Sequence, residues 1–396
     1  MNRCNLRNLG MNMNHAGVYI HIPFCRSHCS YCDFATGMYE SGLAERYVNS
    51  LIEEIKDWGE VDNPAVVNTI YFGGGTPSLL TPAQIERILN AVRNRFQVLA
   101  GAEVTIELNP SDGGTSAVAK LETIRDFQQL GINRASFGAQ TFDDRELKQL
   151  GRTHSSDDIT STFYQLREAG FENINFDLIA GLPGQTLQGW QRNLTAALEL
   201  RPEHLSLYLL DVHEGTPLAD QIKRGQRPKP NDDLAAEMYL IMIDELSTAG
   251  YEHYEISNFC RPGFESRHNT KYWAGDPCYG FGCSAHSYDG ARRRWSNERD
   301  AAAYAKLIET HKSPIVERTV LSGEDARSES IFLGLRLMRG FSLESYHARF
   351  GLDLLDEYDA DIMRLRDAGL IEIDEGLMRL TKRGALLSNE VFAALA

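Results

Sequence analysis

What constrains this chain most is an alternation of β-rich and helical stretches from residue 17 to about residue 210. Residues 17–22 are rich in β-branched side chains, and Leu43, Tyr47, Leu51, Ile55 and Trp58 then recur at helical spacing. Residues 66–72 form a second β-rich run, closed by Gly73-Gly74-Gly75-Thr76-Pro77-Ser78. Thr81-Pro82 with Gln84 predicts a capped helix start ahead of Ile85, Ile88, Leu89, Val92 and Phe96. Further strands are expected at 103–108, 134–137, 173–179 and 204–210, and helices at 117–130, 156–169 and 186–198. Six strand–helix units imply a parallel sheet with right-handed crossovers, either doubly wound or closed toward a barrel. A GxGxxG fingerprint is absent and the GGGTPS turn lacks the P-loop lysine, so a partial (βα)6 barrel over 17–225 is the expected architecture.

Both architectures place function at the C-terminal ends of the strands. The chemically suggestive residues fall there: Cys25 to Cys32 after the first strand, the glycines after the second, and Glu107 closing the third. Gln140 lies just past the fourth strand and Asp177 near the end of the fifth. The spacing of Cys25, Cys29 and Cys32 suits three irons of a cubane 4Fe-4S cluster and leaves the fourth open. The amino and carboxylate groups of S-adenosylmethionine can chelate such an iron, and its sulfonium can accept an electron to give radical chemistry. Zinc would use Cys29 and Cys32 but wants a second pair or histidines at similar spacing. A disulfide framework suits neither the odd count of seven cysteines nor a start without an apolar signal core, and a thioredoxin-like pair leaves the third cysteine unexplained.

A formal charge of −15 repels phosphate backbones and anionic lipid, which disfavours a nucleic-acid partner despite the local Arg292-Arg293-Arg294 triplet. No apolar run reaches the length of a membrane span. Residues 1–16 read as a polar N-terminal extension with Met1, Met11 and Met13 as alternative starts, and cytoplasmic residence is expected. Residues 226–325 read as a bridging region that opens on Arg227-Pro228-Lys229-Pro230 and a helix over 232–249. From 326 to 396 the chain is helix-rich, and 370–380 alternates around a turn like a β-hairpin, as in a winged-helix-like α+β domain. Asp353, Asp356, Glu357, Asp359 and Asp361 argue for an intramolecular or protein-contacting role there rather than DNA binding.

Taken together, the CxxxCxxC loop on the first strand–helix turn, the GGGTPS turn and the six units resemble the radical SAM superfamily over nearly the whole chain. Within it the chain is similar to the group around oxygen-independent coproporphyrinogen III oxidase. The oxidases of that group carry a fourth cysteine two residues past the third, where this chain has Phe34, and a longer extension than the 24 residues before Cys25. The group's haem-chaperone branch has an HNxxYW signature, matched by His268-Asn269-Thr270-Lys271-Tyr272-Trp273. The resemblance therefore implies haem as cargo, with decarboxylation of coproporphyrinogen III to protoporphyrinogen IX as the alternative activity.

The same resemblance implies Cys25, Cys29 and Cys32 as ligands of the 4Fe-4S cluster. It implies Tyr19, Gly74, Gly75, Thr76, Glu107, Gln140, Arg152 and Asp177 as contacts to S-adenosylmethionine, and no catalytic side chain. Its partners would be recipient haem proteins, respiratory or membrane-associated ones among them, and an electron donor; a homodimer is compatible with it. The glycines would otherwise serve a tight turn, Glu107 or Asp177 would cap a helix, and Arg152 would form a surface salt bridge. His268 is the candidate haem ligand with Tyr272 and Trp273 against the porphyrin, although a histidine beside aromatics is more often a packing residue. Cys278, Cys283 and His286 compete with it, and Cys283-Ser284 replaces a proline–glycine pair of the group.

Overall fold

Along six strands the side chains alternate between an apolar face and a polar one, and that alternation builds the barrel. The computed structural model describes residues 15–59, 65–110 and 117–395. Most of the N-terminal extension, including Met1, Met11, Met13 and Cys4, lies outside them. The strands are β1 (Ala16–Ile22), β2 (Val66–Gly74), β3 (Gln97–Leu108), β4 (Arg134–Gln140), β5 (Ile174–Ala180) and β6 (His204–Leu209), each paired in parallel with the next. Val18, Ile20, Ile70, Phe72, Ile106, Phe137, Phe176 and Leu207 are fully buried on the outer face. They pack under helices α1 (Ser41–Lys56), α2 (Pro82–Arg95), α3 (Ala117–Gln129), α4 (Ser156–Glu168) and α5 (Leu187–Leu200). Each such side chain contributes roughly 1.5–3 kcal/mol on burial, enough in sum to fix the register of every strand.

The inward positions are polar instead: Tyr19, Tyr71, Glu107, Arg134, Ser136, Asn175, Asp177, His204 and Ser206. Parallel strands covered on both faces normally read as continuous apolar runs, so a polar inner face marks a barrel that holds something other than packed aliphatic side chains. The helix expected after Thr81 starts there with a full capping box, in which Thr81 and Gln84 satisfy each other's backbone N–H groups. Strand β3 begins at Gln97 rather than 103; Gly101, at φ +75°, lets the strand bend through a stretch whose pattern looks broken.

Residues 226–325 do more than bridge the two ends. They extend both edges of the barrel sheet with β7 (Glu252–Glu255), β8 (Asn258–Cys260), β9 (Cys278–Phe281), β10 (His286–Tyr288), β11 (Arg293–Asn297) and β12 (Ile315–Val320). Among the described residues the order is β12-β11-β10-β9-β1-β2-β3-β4-β5-β6-β8-β7, with β9 parallel to β1 and the outer strands antiparallel. Helices α6 (Asp232–Thr248) and α7 (Arg267–Ala274) belong to the same region, and α7 carries the HNTKYW segment. The C-terminal part packs α8 (Gly323–Leu335) and shorter helices around a three-stranded sheet of β13 (Phe341–Ser342), β14 (Ile371–Asp374) and β15 (Leu377–Leu380), a winged-helix-like α+β unit. Buried Glu255 joins it to the barrel by accepting from Arg336 at 3.1 Å, and the same guanidinium lies 4.2 Å from the centre of the Trp273 ring.

Candidate functional site

At the C-terminal end of the barrel strands a cavity of about 400 Å³ opens between the cysteine loop and the polar inner face. Ten of the residues singled out from sequence line it together: Cys25, Cys29, Cys32, Gly74, Gly75, Thr76, Glu107, Gln140, Arg152 and Asp177. Tyr19 lies beneath this wall, stacked 6.1 Å from Tyr71 and 3.1 Å from His21 Nδ1 through its hydroxyl. The cysteine loop leaves β1 through a two-residue pairing of Phe24–Cys25 with Gly37–Met38 and is tied to the far side by Ser30 N–H donating to Leu150 O.

Three free thiols on one loop are the donor set a cubane needs, since each thiolate takes a different iron. Burial pushes the Cys25 thiol above its usual range and Cys32 up to about 11, so as cluster ligands these groups would need iron to displace their protons. Arg152 supplies compensating charge: its guanidinium donates to Cys29 Sγ at 3.3 Å, Asn109 Oδ1 at 2.9 Å and Gly138 O at 2.8 Å. The sequence alternative for Arg152, an exposed ion pair, does not occur.

The glycine turn is built for close approach. A Cβ on Gly75 would stand 2.6 Å from Phe24 O and 3.0 Å from Cys25 Sγ, and Gly74, at φ +112°, has the His21 ring 2.7 Å from where its Cβ would be. Thr76 joins the turn to the loop by donating its backbone N–H to Phe24 O at 2.7 Å. Opposite, Glu107 accepts from Tyr71 OH at 2.8 Å and Gly74 N–H at 3.1 Å. Burial pushes its carboxyl up to about 7; the Tyr71 bond pulls it down and the neighbouring Asp177 raises it again. Asp177, raised chiefly by burial, accepts from Asn175 Nδ2 at 2.8 Å. Gln140 closes β4 at φ +66°, a strained conformation for a residue with a side chain, and its Nε2 fills the space that a Cβ on Gly138 would need.

Several lining residues went unread in the sequence. Asn109 bridges the two halves of the site by donating to Thr76 Oγ1 at 2.7 Å while accepting from Arg152. Asn175 Oδ1 lies 2.6 Å from His204 Nδ1, whose other nitrogen lies 2.7 Å from Tyr254 OH, and burial holds that imidazole neutral. Arg134 is 1 % exposed, and its Nε has no hydrogen-bond partner. The signal for Arg134, Asn175 and His204 was the every-second-residue polarity of β4, β5 and β6.

Of the HNTKYW segment only Asn269 lines the cavity; His268, Tyr272 and Trp273 do not. His268 is buried in α7 with Nδ1 2.9 Å from Thr69 Oγ1 and Nε2 3.0 Å from Tyr272 OH, and burial lowers its pKa to about 3. Both nitrogens are thus engaged, its backbone N–H donates to Glu103 at 2.9 Å, and the ring lines the barrel floor rather than the cavity. The Tyr272 hydroxyl is engaged by His268, and Trp273 lies under the Arg336 guanidinium. Cys278 sits behind the same ring, and Cys283 is held by Tyr47. Ser284 adopts φ +56°, the left-handed region that glycine enters without strain, which accounts for a glycine preference at this position.

A three-thiol loop on the first strand–helix turn of a partial parallel barrel, facing a glycine turn and a buried carboxylate, defines a radical SAM protein. Residues 19–196 match the radical SAM superfamily and residues 321–387 the HemN C-terminal domain. The chain belongs to the HemW family: it is 36 % identical to the heme chaperone HemW of Bacillus subtilis across 95 % of this chain and 98 % of that one. The heme chaperone HemW of Lactococcus lactis is 37 % identical across 95 % of this chain and 96 % of its own. Among solved structures, coproporphyrinogen III oxidase HemN from Escherichia coli superposes with a TM-score of 0.83 at 26 % identity, covering 96 % of this chain and 90 % of that one. Membership in the radical SAM superfamily carries with it use of a 4Fe-4S cluster and S-adenosylmethionine.

Proposed function

We propose that this protein carries haem in a reducing cytoplasm and hands it to recipient haem proteins, with its cluster and S-adenosylmethionine governing the transfer. The observation that carries this reading is near full-length kinship with two heme chaperones at 36 % and 37 % identity. The cavity mouth supports it, since Phe34 occupies the place of the oxidases' fourth cysteine and is 67 % exposed. No described helix is long and apolar enough to cross a membrane, so membrane-bound recipients would be met from the aqueous side.

In this reading Cys25, Cys29 and Cys32 hold the cluster, and Arg152 offsets the charge of the thiolates. Gly74, Gly75 and Thr76 hold S-adenosylmethionine against the loop with Glu107, Gln140 and Asp177 opposite, and Tyr19 backs the glycine turn from below. Bound there, the cluster would supply an electron to the sulfonium. Glu107 makes the binding pH-sensitive, because its anion attracts the ammonium of S-adenosylmethionine and its neutral acid does not. Affinity for S-adenosylmethionine should therefore rise as the pH climbs through about 7, while the share of fold stability linked to Glu107 is full below about 4.5 and is lost between there and about 7, as a buried acid is forced to ionise. Glu107→Gln should flatten the affinity profile between pH 6 and 8; an unchanged step in isothermal titration would remove Glu107 from this role.

The decisive assay for the function is anaerobic incubation of the cluster-loaded protein with coproporphyrinogen III, S-adenosylmethionine and a reductant. The expected result is no protoporphyrinogen beyond background, while multiple turnovers per protein would make it an oxidase.

A further inference from the structure

The cavity holds two histidines. His154 is buried, its Nε2 3.3 Å from Ala139 O, and its pKa is lowered to about 4. His213 also lines the cavity, with a side chain 45 % exposed and no hydrogen bond to its ring among the described residues. Lining the same cavity are three exposed large apolar side chains: Phe34 at 67 %, Tyr208 at 43 % and Leu209 at 37 %. Single exposed apolar residues are ordinary, but three at the rim of one cavity form a patch with a use. The inner part of a 400 Å³ space is taken once a cluster and S-adenosylmethionine are bound, so a flat macrocycle four pyrroles wide has room only across the mouth.

We propose that His213 is the axial ligand of the haem iron, with the porphyrin seated over Phe34, Tyr208 and Leu209 at the cavity mouth. This rests on the haem-carrier reading. Metal-bound histidines keep their ring oriented by giving the other N–H to a carboxylate. Asp33 Oδ2 lies 3.8 Å from His213 Nδ1, and the backbone carbonyl of Asp33 is anchored by Arg299 at 3.1 Å. Nδ1–H then faces Asp33 and leaves Nε2 as the donor; Asp211, 3.9 Å from Nε2 and 81 % exposed, is free to swing away. Nε2 gives its lone pair to the ferric iron, water leaves the sixth or fifth position, and no electron is exchanged. His268, with both nitrogens bonded on the barrel floor, is a packing residue in this account.

The test is titration of the cluster-loaded protein with ferric haem, read by electron paramagnetic resonance with the cluster in its silent oxidised form. Wild type and His268→Phe should both give a histidine-ligated haem signal. His213→Ala should lose it while keeping the cluster absorption, and added imidazole should restore it, which repair of a misfolded protein would not. A histidine-ligated signal that persists in His213→Ala overturns the ligand and leaves haem carriage standing. No haem bound by the wild type overturns both.

Discussion

Alanine at Cys25, Cys29 or Cys32 should abolish the anaerobic iron–sulfur absorption, whichever of the three is changed. Each thiolate serves its own iron, so no neighbour stands in for a missing one. Among the described residues the other cysteines cannot substitute: Cys260 and Cys278 are buried in the extended sheet and Cys283 lies against Tyr47, all outside the cavity. Burial also raises Cys260 well above the usual thiol range and Cys278 and Cys283 up to about 12, which keeps them protonated and inert. Iron and sulfide content after reconstitution should therefore fall to background in the three loop variants and stay at wild-type levels in Cys260→Ser, Cys278→Ser and Cys283→Ser. A loop variant that retains a full cluster would overturn the ligand assignment.

A single methyl group at Gly75 should be nearly as damaging to S-adenosylmethionine binding. The added Cβ meets Phe24 O at 2.6 Å, and that carbonyl is fixed by the Thr76 N–H bond. Relief requires moving the loop that carries Cys25 or the turn that faces the ligand. Overpacking of this kind costs typically about 1–3 kcal/mol, which is on the order of tenfold or more in affinity. Gly37→Ala is the matched control, because nothing lies within 4 Å of its Cβ position and its φ is ordinary. Equal affinities for Gly75→Ala and wild type would show that the glycine turn does not touch the ligand.

The barrel was legible because its outer face obeys hydrophobic patterning: the starts of β2, β4 and β6 and the cap of α2 fall where the sequence places them. The sheet extensions were not, since β7 to β12 are three to six residues long and too short for a period to emerge. The three cysteines and the glycine turn were visible as motifs, whereas Asn109 and Asn175 act through contacts to residues distant in sequence. His268 looked like a ligand because its neighbours are aromatic; only the fold shows that Thr69, 199 positions away, and Tyr272 already occupy its nitrogens.

Haem transfer tests the central claim most directly. Cluster-loaded protein is charged with haem, passed through a gel-filtration column and mixed with an apo-haem protein of higher affinity, and the acceptor's Soret band is followed. The account predicts that haem coelutes with the protein in stoichiometric amount and then appears on the acceptor at a rate that depends on S-adenosylmethionine and on an intact cluster. Haem that separates on the column, or transfers no faster than free haem and without regard to the cluster, would contradict it.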